Sequence, residues 1–572
     1  MRRLHGVIVG AVVIASTLVV TPALAAAELP VTTSPDSLSF GEQKVGEPGA
    51  ESTVTVTSTS SDPITLGTAT ITGSDAAAFN QKTDTCSGAT LAQNEQCRIG
   101  VVPNATAVGS QTATLTVSDS AGTSSKTVPL SLVGSVGAKG AYYAVTPARV
   151  LDTRSGVGAP RAMLGTQKSI DLQVTGRGGV PLVGVSAVVL NVTVTGSTAG
   201  SFLTVYPTGA ARPTASSINF AKGWTGANSV TVGVGTGGDV RIYNEYGATH
   251  VIADVVGFYA ADSTVIPAAG NTDADFYPMA PQRWIDTRAD GNAGRLGNGD
   301  YYQLGWNFGA SYNPYVRAVA VNITAVSPNG SGYLSAWNGD AGAFPSTSTL
   351  NYTSGRNVPN LAIVPTSPCY EAWCSASGIP MIGVINTNTS SATSSTHLIV
   401  DIVGVYDNAT PGDGLRFRPI TPQRITDTRS GLGYPNAFGP GASGSVTSPA
   451  SFAQAYALAF NVTGVKPTAN TYLTLWPTGL TQPTASNLNP AKGQTVANAA
   501  IVGLGTNKAF SIYNYVGTTD VLVDVVGTFQ SLFPAATASS VGAGPRAQAQ
   551  SGSISGGGSR SGTPMNGTHL TH

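Results

Sequence analysis

Short segments alternating apolar and hydroxyl residues recur along the chain. Ser52 to Thr57 and Thr112 to Val117 step with a period of two, the pattern of a strand buried on one face. Thr127 to Val133 adds a closing strand to the same region. Further on, Val188, Leu190, Val192 and Val194 fall on one strand face and leave Asn191 and Thr193 on the other. Gly and Pro punctuate these segments, and long charged helix-forming runs are missing. That combination predicts many short strands joined by tight turns, an all-β chain of tandem β-sandwich modules.

Internal comparison reveals a threefold repeat. Arg149-Val-Leu-Asp152-Thr-Arg154 returns as Arg283-Trp-Ile-Asp286-Thr-Arg288 and as Arg424-Ile-Thr-Asp427-Thr-Arg429. Leu190-Asn191-Val192-Thr193 returns at Val321 to Thr324 and at Phe460 to Thr463. Asn228, Asn360 and Asn498 match, and Asn244, Asn386 and Asn514 follow in turns. Each copy closes on Asp254-Val-Val-Gly257, Asp401-Ile-Val-Gly404 or Asp524-Val-Val-Gly527. The copies run over 142–261, 274–408 and 416–530. Each is long enough to bury its own core, which predicts separate sandwiches on short linkers with limited bending. The repeat resembles an accessory β-sandwich of exported proteins of high-GC Gram-positive bacteria, a resemblance that brings no catalytic residues with it.

Residues 29–136 precede the repeats. Leu38-Ser39-Phe40-Gly41, Ile71-Thr72-Gly73-Ser74-Asp75 leading to Phe79, Cys86 with Leu91 and Cys97, and Val128-Pro129-Leu130 lie there in order. This set resembles the bacterial choice-of-anchor D Ig-like module, related to Ig-like domains of cilium- and spindle-associated proteins. The resemblance implies a seven-stranded sandwich used as a spacer or recognition module. The fold class expected is thus one Ig-like domain followed by three jelly-roll or sandwich-like domains.

The ends add a compartment. Arg2 and Arg3, an apolar stretch from Val7 to Val20 and the small residues Ala23-Leu24-Ala25 have the layout of a secretory signal peptide over 1–25. The apolar run is short for a membrane span of about 20 residues, and Pro22 ends it. Residues 531–572 are Gly/Ser-rich, a composition that predicts a disordered tail, and carry neither a sortase-type signal nor a hydrophobic end. The expected location is secreted, with retention at the cell surface an option. In an exported chain the pairs Cys86/Cys97 and Cys369/Cys374 are expected to form two local disulfides. A metal site is the rival reading, but neither pair has a second Cys/His pair at zinc-site spacing. Basic and acidic residues balance at 29 each, so nothing electrostatic points to nucleic acid or anionic lipid.

Three constellations are candidates for chemistry. Asp254 lies in an apolar strand context and needs a cationic partner, so Arg149 or Arg154 is expected to latch the first strand of the copy to its last. Arg283 or Arg288 with Asp401, and Arg424 or Arg429 with Asp524, would repeat that latch. The Asn-x-Thr triplets read as structural amides bonding a neighbouring loop or edge backbone, ahead of glycosylation sites. Phe202, Thr204 and Tyr206 share a strand face, as do Tyr333, Ser335, Trp337 and Tyr472, Thr474, Trp476. Such aromatic–hydroxyl rows, with Tyr206, Trp337 and Trp476 foremost, can stack on sugar rings or pack under a loop. His250 and His397 occupy matching positions where the third copy has Asp520, a drift expected of an exposed strand start. No Gly-x-Ser-x-Gly elbow, His-Glu-x-x-His helix or phosphate loop appears. The reading is a non-catalytic structural or interaction protein without a cofactor. The alternative is multivalent binding of cell-wall or extracellular polysaccharide, with surface proteins as the other class of partner.

Overall fold

The computed structural model describes residues 27–289, 294–340, 344–374 and 377–532, together with a short strand at Ser559–Ser561. The expected signal peptide lies outside the described residues, as does the expected tail apart from Ser531, Leu532 and that strand. The described chain is all-β, and its helical elements are three-residue 3-10 turns such as Ala76–Ala78.

Residues 27–43 and 48–134 form one unit of two main sheets. One orders Ala27–Glu28, Ser124–Ser135, Gly109–Ser118 and Thr70–Thr72, with Leu38–Lys44 also on Ser124–Ser135. The other orders Val31–Ser34, Ser52–Ser58, Gln96–Pro103 and Phe79–Asp84. The apolar members of the alternating segments, Val54, Val56, Leu115 and Val117, are fully buried. Cys86 and Cys97 are disulfide-bonded.

The three repeats each fold into two facing sheets. In the first copy the inner sheet orders Tyr142–Asp152, His250–Ala260, Val185–Thr195 and Gly226–Gly233. Its outer sheet orders Lys168–Gln173, Asp239–Asn244, Ser201–Pro207 and Ile218–Phe220. The second copy repeats this inner order with Asp275–Asp286, His397–Asp407, Val316–Val326 and Val358–Pro365, and the third with Leu415–Asp427, Asp520–Ser531, Ala455–Val465 and Val496–Gly503, the two joined edge to edge at Phe276 and Leu415 into one eight-stranded sheet. Val188, Leu190 and Val192 pack between the sheets against Leu203, Val205 and Ile242, and the other copies have matching cores.

The copies are not separate beads, and here the structure corrects the expectation. They close around one shared apolar cluster, and residues 135–532 behave as a single compact unit. The cause is a second buried face on each inner sheet. Ala187 and Val189, Ala318 and Ala320, Ala457 and Ala459 lie on the same faces as the Asn-x-Thr asparagines, and all are buried. Six aromatic rings form a closed circuit at the centre. Tyr142, Tyr259, Phe417, Phe529, Phe276 and Tyr406 follow one another at centroid spacings of 4.3–5.2 Å, the last returning to Tyr142. Each copy supplies two. Backbone bonds join the same strands: Tyr142 and Ala274 exchange bonds of 2.9 Å, and Phe417 N donates to Gly140 O at 2.8 Å.

Gly257, Gly404 and Gly527 make this packing possible. The rings of Tyr142, Phe276 and Phe417 occupy the space where a Cβ at those positions would lie. One set of equivalent positions breaks the threefold likeness. Ala141, Asp275 and Arg416 each precede the first aromatic residue of a copy. Arg416 is fully buried and ion-paired to Asp275, and its Nη1 donates to Gly137 O at 3.1 Å. Burial pushes the Asp275 carboxyl up to about 6, against the opposing pull of Arg416.

Candidate functional site

The triplicated asparagines meet at the seams between copies. Asn191 Nδ2 donates to Ser348 O of the second copy at 2.6 Å, Asn322 to Ser486 O of the third at 2.6 Å, and Asn461 to Ser216 O of the first at 2.5 Å. A second set interleaves with it. Asn360 donates to Asn191 Oδ1 at 3.0 Å, Asn498 to Asn322 Oδ1 at 3.2 Å, and Asn228 to Asn461 Oδ1 at 3.0 Å. The free amide oxygens accept backbone N–H groups from Ser229, Leu361 and Ala499, again across the seams. A buried amide left without these partners would cost about 1–3 kcal/mol, so each seam is specified by polar geometry as well as by apolar contact. Sequence reasoning marked Asn191 and its counterparts as structural amides, with a neighbouring loop or an edge backbone group as the partner, and gave no partner to Asn228, Asn360 and Asn498. It missed that the loop belongs to the next copy.

The arginine–aspartate pairs sit beside this lattice. Arg149 Nε donates to Asp254 Oδ1 at 3.0 Å, Arg283 Nε to Asp401 at 2.5 Å and Arg424 Nε to Asp524 at 2.8 Å. Each pair joins directly opposed residues of the first and last strands. Arg154, Arg288 and Arg429 do not reach those aspartates; they turn back onto Asp152, Asp286 and Asp427. Burial pushes the Asp401 carboxyl up to about 6 and moves Asp254 in the same direction. The guanidinium groups of Arg154, Arg288 and Arg429 instead hold Asp152, Asp286 and Asp427 below the usual range. Two latch arginines also cross the seams, Arg283 Nη2 to Thr484 O and Arg424 Nη2 to Thr214 O, both at 3.3 Å.

The strand start that reads as exposed has a defined contact instead. Thr153 Oγ1 lies 3.0 Å from His250 Nδ1, Thr287 Oγ1 lies 3.1 Å from His397 Nδ1, and Thr428 donates to Asp520 at 2.7 Å. His and Asp serve one purpose there, which explains the exchange between copies.

The proposed stacking residues are unavailable to a ligand. Tyr206, Trp337 and Trp476 retain only 4%, 2% and 6% of their surface. In each copy a loop folds over the middle and last residues of the row, leaving Phe202, Tyr333 and Tyr472 partly exposed, and is held by the middle hydroxyl: Thr204 donates to Ala215 O, Ser335 to Thr347 O and Thr474 to Ala485 O. The indole N–H groups of Trp337 and Trp476 are satisfied by Asp340 O and Leu480 O. Those loops continue to Ser216, Ser348 and Ser486, the seam partners of the asparagines.

Cys369 and Cys374 are disulfide-bonded in a connection found only in the second copy. The other copies turn there through Thr236–Gly238 and Thr506–Lys508. Two seam cavities, of about 30 and 20 Å³, lie beside Asn191 with Asp254 and beside Asn461 with Asp524. Each has room for about one or two waters and not for a sugar. Among the described residues no three His, Cys, Asp or Glu side chains gather as a metal site.

No family model matches the chain, and no curated protein does. Among solved structures, the VesB protease of Vibrio cholerae aligns with 18% of this chain and 32% of its own, at 21% identity and a TM-score of 0.16. The secreted serine protease VesC of Vibrio cholerae aligns over 39% and 49%, at 14% identity and a TM-score of 0.15. A triple jelly-roll turret protein of an archaeal virus aligns over 68% and 95%, at 8% identity and a TM-score of 0.13. The chain thus spans a third of VesB and half of VesC, and likenesses this weak carry no argument about activity.

Proposed function

We propose that this chain is an extracellular, non-catalytic structural or interaction protein whose three repeats act as one pre-assembled block. The observation that carries the reading is the cyclic asparagine lattice. Residues present in triplicate, which a catalytic account would need in an open cleft, are occupied in holding one copy to the next. The paired cysteines fit an oxidising compartment. No helix among the described residues is long and apolar enough to cross a membrane. The Ig-like resemblance of residues 29–136 adds a spacer or recognition role for the first unit.

The test is incubation of the purified full chain with cell-wall polysaccharide, peptidoglycan and extracellular protein fractions, following both co-sedimentation and product release. Saturable retention without new reducing ends or amino groups is expected. Product release that scales with protein concentration and time would overturn the reading.

A further inference from the structure

The inner sheets of the three copies are nearly interchangeable, whereas their outer sheets have diverged. In the first copy the solvent face of the outer sheet is charged. Arg241 forms a two-point pair with Asp171, and Arg212 pairs with Glu245 while its guanidinium covers the Tyr243 ring at 4.1 Å. In the second copy that face closes on itself, with Tyr301, Trp337 and Phe344 in mutual contact at 5.1–5.9 Å.

The third copy has neither cover. Ser445, Ser511 and Tyr515 stand where the first copy has Asp171, Arg241 and Glu245, and Gln482 stands where it has Arg212. Tyr513 is flanked in register by Ser443 and Thr474. Tyr472 lies 6.2 Å from Tyr513 and stacks on Tyr515 at 4.7 Å with 14° between the rings. Tyr515 is 53% exposed, Tyr472 and Tyr513 are partly exposed, and Ser443 and Ser445 are open to solvent. The result is an uncharged surface of ring faces and hydroxyls.

We infer that Tyr472, Tyr513 and Tyr515 form a glycan-binding platform on the outer sheet of the third copy. The inference rests on reading the chain as an interaction protein and places one of its contacts. The ligand class is a neutral chain of pyranoses with equatorial substituents. Such rings present flat C–H faces to an aromatic plane and hydroxyls at their rims, which phenol and serine hydroxyls can bond. An anionic polymer finds no cation among these residues, and an apolar partner would leave the hydroxyls without bonds. The first copy supplies a built-in contrast, because Arg212 already occupies the corresponding ring.

Affinity electrophoresis and calorimetry of the full chain test the platform. The two arms are a soluble β-1,4-glucan with its oligosaccharides and an N-acetylated amino-sugar chain with its oligosaccharides. Saturable binding in at least one arm is expected, weakened about tenfold or more by Tyr472→Ala with Tyr515→Ala. Tyr246→Ala, an exposed aromatic change in the first copy, leaves it unchanged. Thermal unfolding of each variant confirms that it is folded; if the double variant unfolds early, Tyr515→Ala alone at this exposed position replaces it. Absence of binding in both arms, or binding unaffected in a folded variant, overturns the platform. Neither result involves turnover, so it is distinct from product release, which would defeat the broader reading.

Discussion

A seam asparagine has to satisfy several partners at once. Asn360 is fully buried, donates to Asn191 Oδ1 and Thr349 O, and accepts from Ser229 N. Asn360→Ala strands a backbone N–H and the acceptors it served, and is expected to lower stability by about 1–3 kcal/mol in urea titrations. Alanine at Asn470, an exposed position outside the seam lattice, is expected to cost less; equal losses would remove the lattice from the account. The carboxyls set a pH dependence. Asp275 and Asp401, pushed up to about 6, hold protons in the folded chain where the unfolded chain has released them. The native state therefore binds more protons, and stability falls as pH climbs from about 4 through about 6. Asp152, Asp286 and Asp427 act in the opposite sense and withdraw stability as pH drops below about 4. Melting temperatures across this range are expected to show both limbs. Asp401→Asn is expected to shallow the upper one, and an unchanged slope would contradict the assignment.

Individual strands were legible because their period of two is written in side chains. Val188, Leu190, Val192 and Val194 lie in the sandwich core where alternation puts them. The opposite face was harder to read. Asn191 and Thr193 read as a polar face bonding one loop or edge, yet Ala187 and Val189 share it, and small apolar residues recur there in every copy. That recurrence was the available signal of a second buried surface. Alternation reports which way a side chain points and not which strand or copy meets it. The same limit applies to Tyr206, Trp337 and Trp476, whose row pattern fits a ligand platform and a loop-covered face equally. The closing Gly of each copy has a clear element-scale consequence. Gly404→Ala forces a Cβ against the Phe276 ring and is expected to cost about 1–3 kcal/mol, measured as a lowered denaturation midpoint. Gly355→Ala is a useful comparison, since its Cβ would meet open space and only its left-handed φ of 70° would be strained.

At the scale of the molecule, a shared core makes the three copies one cooperative system. Calorimetry of residues 135–532 is expected to give a single transition whose calorimetric and van't Hoff enthalpies agree; three resolved transitions would restore the independent beads. An excised copy leaves two central aromatic rings and the paired small apolar residues exposed. It is expected to self-associate in sedimentation experiments or to fail to fold. Three separate chains meeting at such a centre would come apart on dilution, because their assembly would obey mass action. Here the connections 262–273 and 409–415 turn each encounter into an intramolecular one, at an effective concentration fixed by linker length. The closed aromatic circuit therefore persists however far the protein is diluted, and its assembly state carries no dependence on how much of it has been made.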